Sequence, residues 1–482
     1  MFWRGVWGYL PANLVQGVVG LLSILVFTRL LTPEDYGRFA LAFSVMTLVH
    51  TVVFTWLEAA MARYWAAQSD ERSLADHFAT LYRAFAWLAA AFVPACAVGL
   101  LLWPAGSMLK WAVAAGLSAV LARSLARLIQ ERRRASGDVS GAARIDMAQS
   151  AGGFAAGAGL ALVGLGGAAP LAGLAVAALA VLPFALPREL KSGAGGRLDL
   201  QRLAGYARFG FPVSGALILA LVLASADRFL IAAFLDEASV GAYHAAYSLS
   251  NRTLDVIFLW LGAAGAPAMV MALERGGQPA LDRAARDQVS TILLIALPAA
   301  AGLALVARPL AEVMVGEGLR EAAAQVTPWI ALAGLFSGLT THYFLHAFTL
   351  GQRTRLLMLA SAVPVVVNVA LNLTLIPRFG LIGAAWSTAA TYGFAAAAYA
   401  ILGRRSVRLP IPVETLLKAG AATAAMALAV LAVPAFGGLV ELALKAVTGA
   451  IVYAAAALLL DVAGVRGVTT RFLKAVHARQ AA

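Results

Sequence analysis

Fourteen stretches of mostly apolar residues, separated by short polar connections, occupy the chain from residue 7 to residue 461. They run 7 to 29, 38 to 65, 78 to 103, 108 to 130, 143 to 165, 168 to 188, 207 to 235, 240 to 273, 288 to 315, 322 to 350, 356 to 376, 380 to 403, 415 to 435 and 439 to 461. Each is about the 20 residues that a helix needs to cross a hydrocarbon core about 30 Å thick, and only helices or closed barrels satisfy their backbone groups there. A chain that is 61% hydrophobic and 13% charged has lipid as its main solvent. The pattern predicts an all-α polytopic membrane protein of about fourteen transmembrane helices, with no soluble domain left over. The first segment follows Arg4 and is too long for the apolar core of a secretory signal; no small-x-small cleavage site follows it, so it reads as a retained helix.

A formal charge of +13 raises the question of nucleic acid, which the position of the cations answers. With the N-terminus inside, 28 of the 37 Lys and Arg fall on inside connections and ends, 8 fall outside, and Arg252 alone lies deep within a segment. Inside groups include Arg123, Arg127, Arg132, Arg133, Arg134 and Arg144, then Arg188, Lys191, Arg197, Arg202 and Arg208, then Arg404, Arg405, Arg408 and Lys418. This alternation is the positive-inside pattern, with weak attraction to anionic membrane lipids added, and it needs no nucleic-acid partner. It also places both termini in the cytoplasm.

"GRFALAFSV" at Gly37 returns, 204 positions later, as "GAYHAAYSL" at Gly241. Both copies begin a segment, the second and the eighth, and both follow a matching helix end, "TRLLTPEDYG" and "DRFLIAAFLDEASVG". Six crossings separate them, so the two halves enter the membrane in the same direction, as a parallel repeat related by an axis along the membrane normal. The expected organisation is a six-helix lobe over 1–190, a charged and Gly-rich cytoplasmic linker over 191–205, a second six-helix lobe over 206–403, and a further helix pair with a cytoplasmic tail over 404–482. If the repeat is structural, Gly37 and Gly241 occupy equivalent helical positions.

Metal and thiol chemistry find little support. The single cysteine, Cys96, lies inside an apolar segment and reads as a packing thiol. His342 and His346 have the spacing of a zinc-binding helix, but the intervening "YFL" lacks a glutamate and no third ligand is apparent. No metal and no cofactor are expected.

"TRLLTPEDYGRFALAFSV", "FGFPVSGALILALVLASADRFLIAAFL" and "VGAYHAAYSLSNR" resemble the signature segments of polysaccharide-export flippases, within the multidrug, oligosaccharidyl-lipid and polysaccharide exporter superfamily. The likeness extends over the whole chain in helix count and lobe arrangement, and over about a quarter of it in motifs. The resemblance implies a bacterial inner-membrane protein that moves undecaprenyl-pyrophosphate-linked oligosaccharide repeat units from the cytoplasmic to the periplasmic leaflet. It further implies a V-shaped pair of lobes around an alternately opening cavity, no enzymatic step, and polysaccharide polymerase and chain-length machinery as partners.

Such a substrate presents an anionic pyrophosphate and a polar glycan, so ionisable and hydrogen-bonding groups within the bilayer become the candidate site. Arg252, eleven residues beyond Gly241, lies about 16 Å down the eighth segment, with Asp255 on the same face; the pair either contacts substrate or neutralises itself. Arg29, Asp227 and Arg228 end the first and seventh segments, where they either face substrate or reach for the interface. Glu58, about 31 Å below Gly37, and Arg63 form either an interfacial ion pair or a coupling and gating pair. Tyr243, His244 and Tyr247, with Asn368 and Asn372 on one face of the eleventh segment and Asn13 and Gln16 in the first, offer rings and amides to a sugar or simply join helices.

Two other classes compete. A drug or cation antiporter of the same superfamily is expected to carry buried carboxylates for ion exchange, and the first segment has none. A membrane glycan polymerase or glycosyltransferase is expected to have a sizeable outer loop or a paired-carboxylate site, and Asp236 with Glu237 has no nearby partner motif.

Overall fold

The computed structural model describes residues 2–68, 70–467 and 469–470. Among them the regular structure is entirely helical. In chain order α1 is Phe2–Leu30, and α2 is Pro33–Val53, continued past a break at Phe54 by Thr55–Tyr64. Next come α3 (Glu71–Leu102), α4 (Ser107–Ala135), α5 (Val139–Leu162), α6 (Ala169–Ser192) and α7 (Leu200–Phe234). A 69-residue helical run follows, in which Gly277 has φ 60°, and a later 50-residue run is interrupted in the same way at Gly380. Those left-handed glycines end one helix and start the next. The runs are therefore α8 (237–276), α9 (278–305), α11 (354–379) and α12 (381–403). Between them α10 begins as Glu317–Leu339 and passes through a π-helical turn at Thr340–Phe344 to Leu345–Leu350. Finally, α13 is Val413–Leu431 and α14 is Gly438–Leu459.

Among the described residues, eleven helical runs are long and apolar enough to span a membrane. The two broken at Gly277 and Gly380 each supply two spans, and α5, too polar to qualify alone, completes the fourteen that the sequence predicts. This is a multi-pass membrane protein.

Side chains set the helix starts. The Thr32 hydroxyl accepts from the Asp35 amide at 3.2 Å, with Pro33 in the first turn. Asp70, Asp138 and Asp236 accept from the amides three residues on, at 2.7, 2.9 and 2.7 Å. Each capping oxygen satisfies an amide that the helix cannot. Gly37 lies five residues after Thr32 and Gly241 five after Asp236, so both copies of the repeat start at the same helical position.

Contacts divide the chain into two compact units, one ending at His244 and the other beginning at Ala245. The first buries a core from α2 to α7 that includes Phe54, Leu57, Met61, Phe78, Leu81 and Leu128. The second buries Leu254, Phe258, Leu281, Ile292, Leu335 and Tyr343. The connection between α6 and α7 is shorter than the 191–205 linker read from composition: α6 runs to Ser192 and α7 starts at Leu200. What remains is held to α3. The Arg197 amide donates to Asp76 at 2.6 Å, the Asp199 amide to Thr80 at 3.1 Å, and Arg83 to the Gly196 carbonyl at 3.3 Å. Residues 471–482, the end of the expected tail, lie outside the described residues.

Candidate functional site

In the first unit the repeat glycine marks a close crossing. A Cβ on Gly37 would sit 1.7 Å from the Glu237 carbonyl oxygen, so only glycine allows α2 to meet the start of α8 there. Beside it Arg38 bridges Asp35 at 2.9 Å and Glu237 at 2.5 Å. Asp227 and Arg228, at the end of α7, are 1% and 5% exposed and so do not reach for the interface. The Tyr243 hydroxyl donates to Asp227. Arg228 donates from Nε to His244 Nδ1 at 3.2 Å and from Nη1 to the Ala224 carbonyl at 2.6 Å. His244 in turn sits among the rings of Tyr36, Phe39 and Phe43, at centroid distances of 5.7, 5.8 and 6.5 Å. A buried acid and a buried base thus each have a polar partner, as burial of charge requires. Arg29, by contrast, is exposed and donates to the Leu25 carbonyl at 2.8 Å.

The second feature of this unit runs along α4. Arg123, Arg127, Glu131 and Arg134 follow one another at spacings of four, four and three, which places them on one helix face over about 16 Å. Arg134 pairs with Glu131 at 2.5 Å and, on α5, with Asp146 at 3.3 Å. Higher up, the break of α2 at Phe54 brings Glu58 back towards the preceding turn, where it meets His50 at 3.2 Å, and His50 contacts Ser124 of α4 at 2.8 Å. This corrects the expected Glu58 and Arg63 pair: Arg63 is exposed and lies over the Tyr64 ring at 5.8 Å. Arg123 lies within electrostatic reach of Glu58, Arg127 and Asp146. Neither Arg123 nor Arg127 has an ion-pair partner within 4 Å among the described residues, and Arg127 is exposed. Arg127 therefore presents its guanidinium group outward toward the inner end of α4, while Arg123 is partly buried one turn before it.

At the far end of α4 the charges are neutralised locally. Glu189, 1% exposed, receives Arg132 at 3.2 Å and Arg133 at 3.6 Å. Arg202 donates to Gln68 and to the Ser73 carbonyl, both at 3.0 Å, while His77 and the Tyr206 hydroxyl lie 2.6 Å apart.

In the second unit Arg252 and Asp255 are both exposed, on the side of α8 away from the buried Leu254 and Phe258. They do not approach within 4 Å, so the two charges do not cancel as a contact pair. Tyr247 is half-buried. Asn368 and Asn372 are 1% and 0% exposed: Asn372 donates to Asn368 at 3.0 Å, and Asn368 donates to Thr391 of α12 at 3.4 Å. They join helices, and the buried Asn372 Oδ1 has no hydrogen-bond partner among the described residues. His342 lies flat against the Phe258 ring at 5.6 Å.

The ladder on α4 was visible in the sequence as a set of same-face spacings. Reading Arg123, Arg127 and Arg134 only as inside charges hid it, and nothing in the local pattern named His50 or Asp146 as partners.

Fourteen helices in two units, with charged groups held inside the spans, describe a polytopic membrane protein. Similar solved structures include the lipid II flippase MurJ in an inward closed conformation, with a TM-score of 0.76 over 94% of this chain and 98% of that one at 13% identity. They also include the inward-facing conformation of a multidrug resistance MATE family transporter of the MOP superfamily, at 0.64 over 81% and 94% with 15% identity. An outward-facing MATE family transporter of the same superfamily scores 0.51 over 82% and 94% at 16% identity. The fold is the one that these flippase and transporter structures share. No protein of curated function matches the chain in sequence. Residues 26–324 match the sequence model of the polysaccharide biosynthesis protein family, and the chain belongs to that family.

Proposed function

We propose that the protein is a flippase that moves undecaprenyl-pyrophosphate-linked oligosaccharide units across the bacterial inner membrane by alternating access, with both termini cytoplasmic. One observation carries this reading: Arg123 and Arg127, toward the inner end of α4, have no contact carboxylate, and neither has Arg252, exposed deep within α8. A cation held at that depth costs at least about 2.5–3.5 kcal/mol unless water or an anion meets it, and a lipid-linked pyrophosphate is an anion that enters the bilayer. Arg252, with Asp255 tempering its charge, Tyr247 and Arg29 are assigned as direct substrate contacts. Arg228, Tyr243 and Asp227 form a closed polar junction assigned to gating. Glu58, through His50, is assigned to coupling, with Arg63 at the same mouth. A polymerase and chain-length machinery are the proposed downstream partners.

The competing antiporter reading has one observation in its favour, the buried His50 and Glu58 pair, which suits ion exchange. The surplus of unpaired cations in the spans favours an anionic cargo instead.

Purified protein in vesicles carrying a fluorescent undecaprenyl-pyrophosphate oligosaccharide tests the proposal by dithionite quenching of the label in the outer leaflet. Wild type is expected to move the lipid, Arg252→Ala and Arg127→Ala to lose most of the rate, and the Lys variants to retain part of it, since Lys keeps the charge but not the fork. Because Arg252 and Asp255 are not in contact, the Arg252→Ala, Asp255→Ala double variant is expected to stay inactive. Label movement unchanged from empty vesicles would overturn the flippase reading.

A further inference from the structure

We infer that unit 1 carries a binding site for an anionic phospholipid in a trench between α5 and α6, separate from the charged ladder and independent of the proposed cargo. The trench has a volume of about 420 Å³ and lies between Arg133 and Arg144 at one end and Gly152 at the other. Its walls are Ala148, Ala177, Ala180, Val181 and Phe184, and its floor includes Ile145 and Ala185 of a buried apolar cluster.

The trench exists because small residues control how α5 and α6 pack. Further along the pair the backbones nearly touch: a Cβ on Gly173 would lie 2.3 Å from the Gly157 nitrogen, and one on Gly153 would lie 2.8 Å from Leu174. Toward Arg144 the contact opens, leaving Ala148 and Ala180 exposed and Phe184, 84% exposed, standing as one wall.

Charge is confined to one end. Arg144 is exposed and makes no ion pair or hydrogen bond among the described residues. Arg133 is partly neutralised, with Glu189 at 3.6 Å and Asp138 at 4.0 Å. Arg144 therefore keeps its donors for a phosphate oxygen, and Arg133 adds positive charge beside it. From Arg144 to Gly152 the helix advances two turns, about 12 Å, along a surface with no further charge in the trench.

That sequence of features, two cations and then an apolar channel, matches a phosphodiester headgroup of net negative charge with one acyl chain laid along the trench. A free inorganic anion gains nothing from the apolar part. A peptide helix is too wide for it and has no use for the cations. A zwitterionic headgroup would bring its own cation beside two arginines.

The test uses the purified full-length chain in detergent and follows its thermal unfolding midpoint as lipid is added. Phosphatidylglycerol is expected to raise the midpoint with saturation, and phosphatidylcholine or inorganic phosphate at the same concentration to raise it far less. Arg144→Gln is expected to raise the half-saturating phosphatidylglycerol concentration about tenfold, and Arg144→Lys to raise it less. Ala148→Leu with Ala180→Leu fills the trench from two exposed positions. That variant is expected to keep the lipid-free midpoint of wild type while losing the phosphatidylglycerol response. Equal protection by phosphatidylcholine or by phosphate alone would overturn the inference, as would a trench-filled variant that still responds. The filled variant alone decides the matter if Arg144→Gln does not fold.

Discussion

Gly37→Ala is expected to be among the most damaging single-methyl additions in this chain. The added carbon would start 1.7 Å from the Glu237 carbonyl oxygen, whereas a tolerable contact lies beyond about 3 Å, so the start of α2 or of α8 must retreat by more than 1 Å. Retreat stretches the 2.5 Å Arg38 to Glu237 contact, and it disturbs Tyr36, which packs on His244. Overpacking of this kind costs about 1–3 kcal/mol, and a weakened charged contact adds to it. Gly159→Ala supplies the control, because it makes the same change in a helix where nothing lies within 4 Å of the new carbon. There, relief of the glycine penalty is expected to stabilise the helix by about 0.5–1 kcal/mol. Urea titration in mixed micelles, read by tryptophan fluorescence, compares the two directly. Equal stability of the two variants would refute the argument that the repeat glycine is kept for a helix crossing.

Three further outcomes are expected. Glu189→Ala leaves Arg132 and Arg133 without their shared carboxylate and is expected to cost about 3–5 kcal/mol in the same urea titration, with Glu189→Gln falling between it and wild type. In a double-mutant cycle Asp227→Asn and Tyr243→Phe are expected to be non-additive by about 0.5–3 kcal/mol, since each removes the same buried contact; strict additivity would show that the junction is not a unit. A reporter active only in the periplasm, fused after Gly195 in the α6 to α7 connection, is expected to be silent, and activity there would reverse the proposed orientation.

How far the sequence reached depended on whether a feature is set by neighbours along the chain or by neighbours across it. The fourteen spans were legible because apolar length is a local property, and even the breaks inside the two long helical runs were marked by Gly277 and Gly380. The repeat was legible for the same reason: Thr32 and Asp236 place Gly37 and Gly241 at one helical position through bonds within three residues. Partner choice was not. Arg63 lies five residues from Glu58 and is the nearer cation in sequence, yet the break at Phe54 hands Glu58 to His50, eight residues back. Asn368 and Asn372 look the same whether a sugar or α12 faces them, and only packing showed Thr391 opposite. Arg127 illustrates the remaining case. The positive-inside pattern accounts for a cation near a helix end without asking which way it points, so a general rule absorbed a specific residue. Its exposure, with no carboxylate in contact, separates a charge that merely orients the chain from one that is left free to meet a ligand.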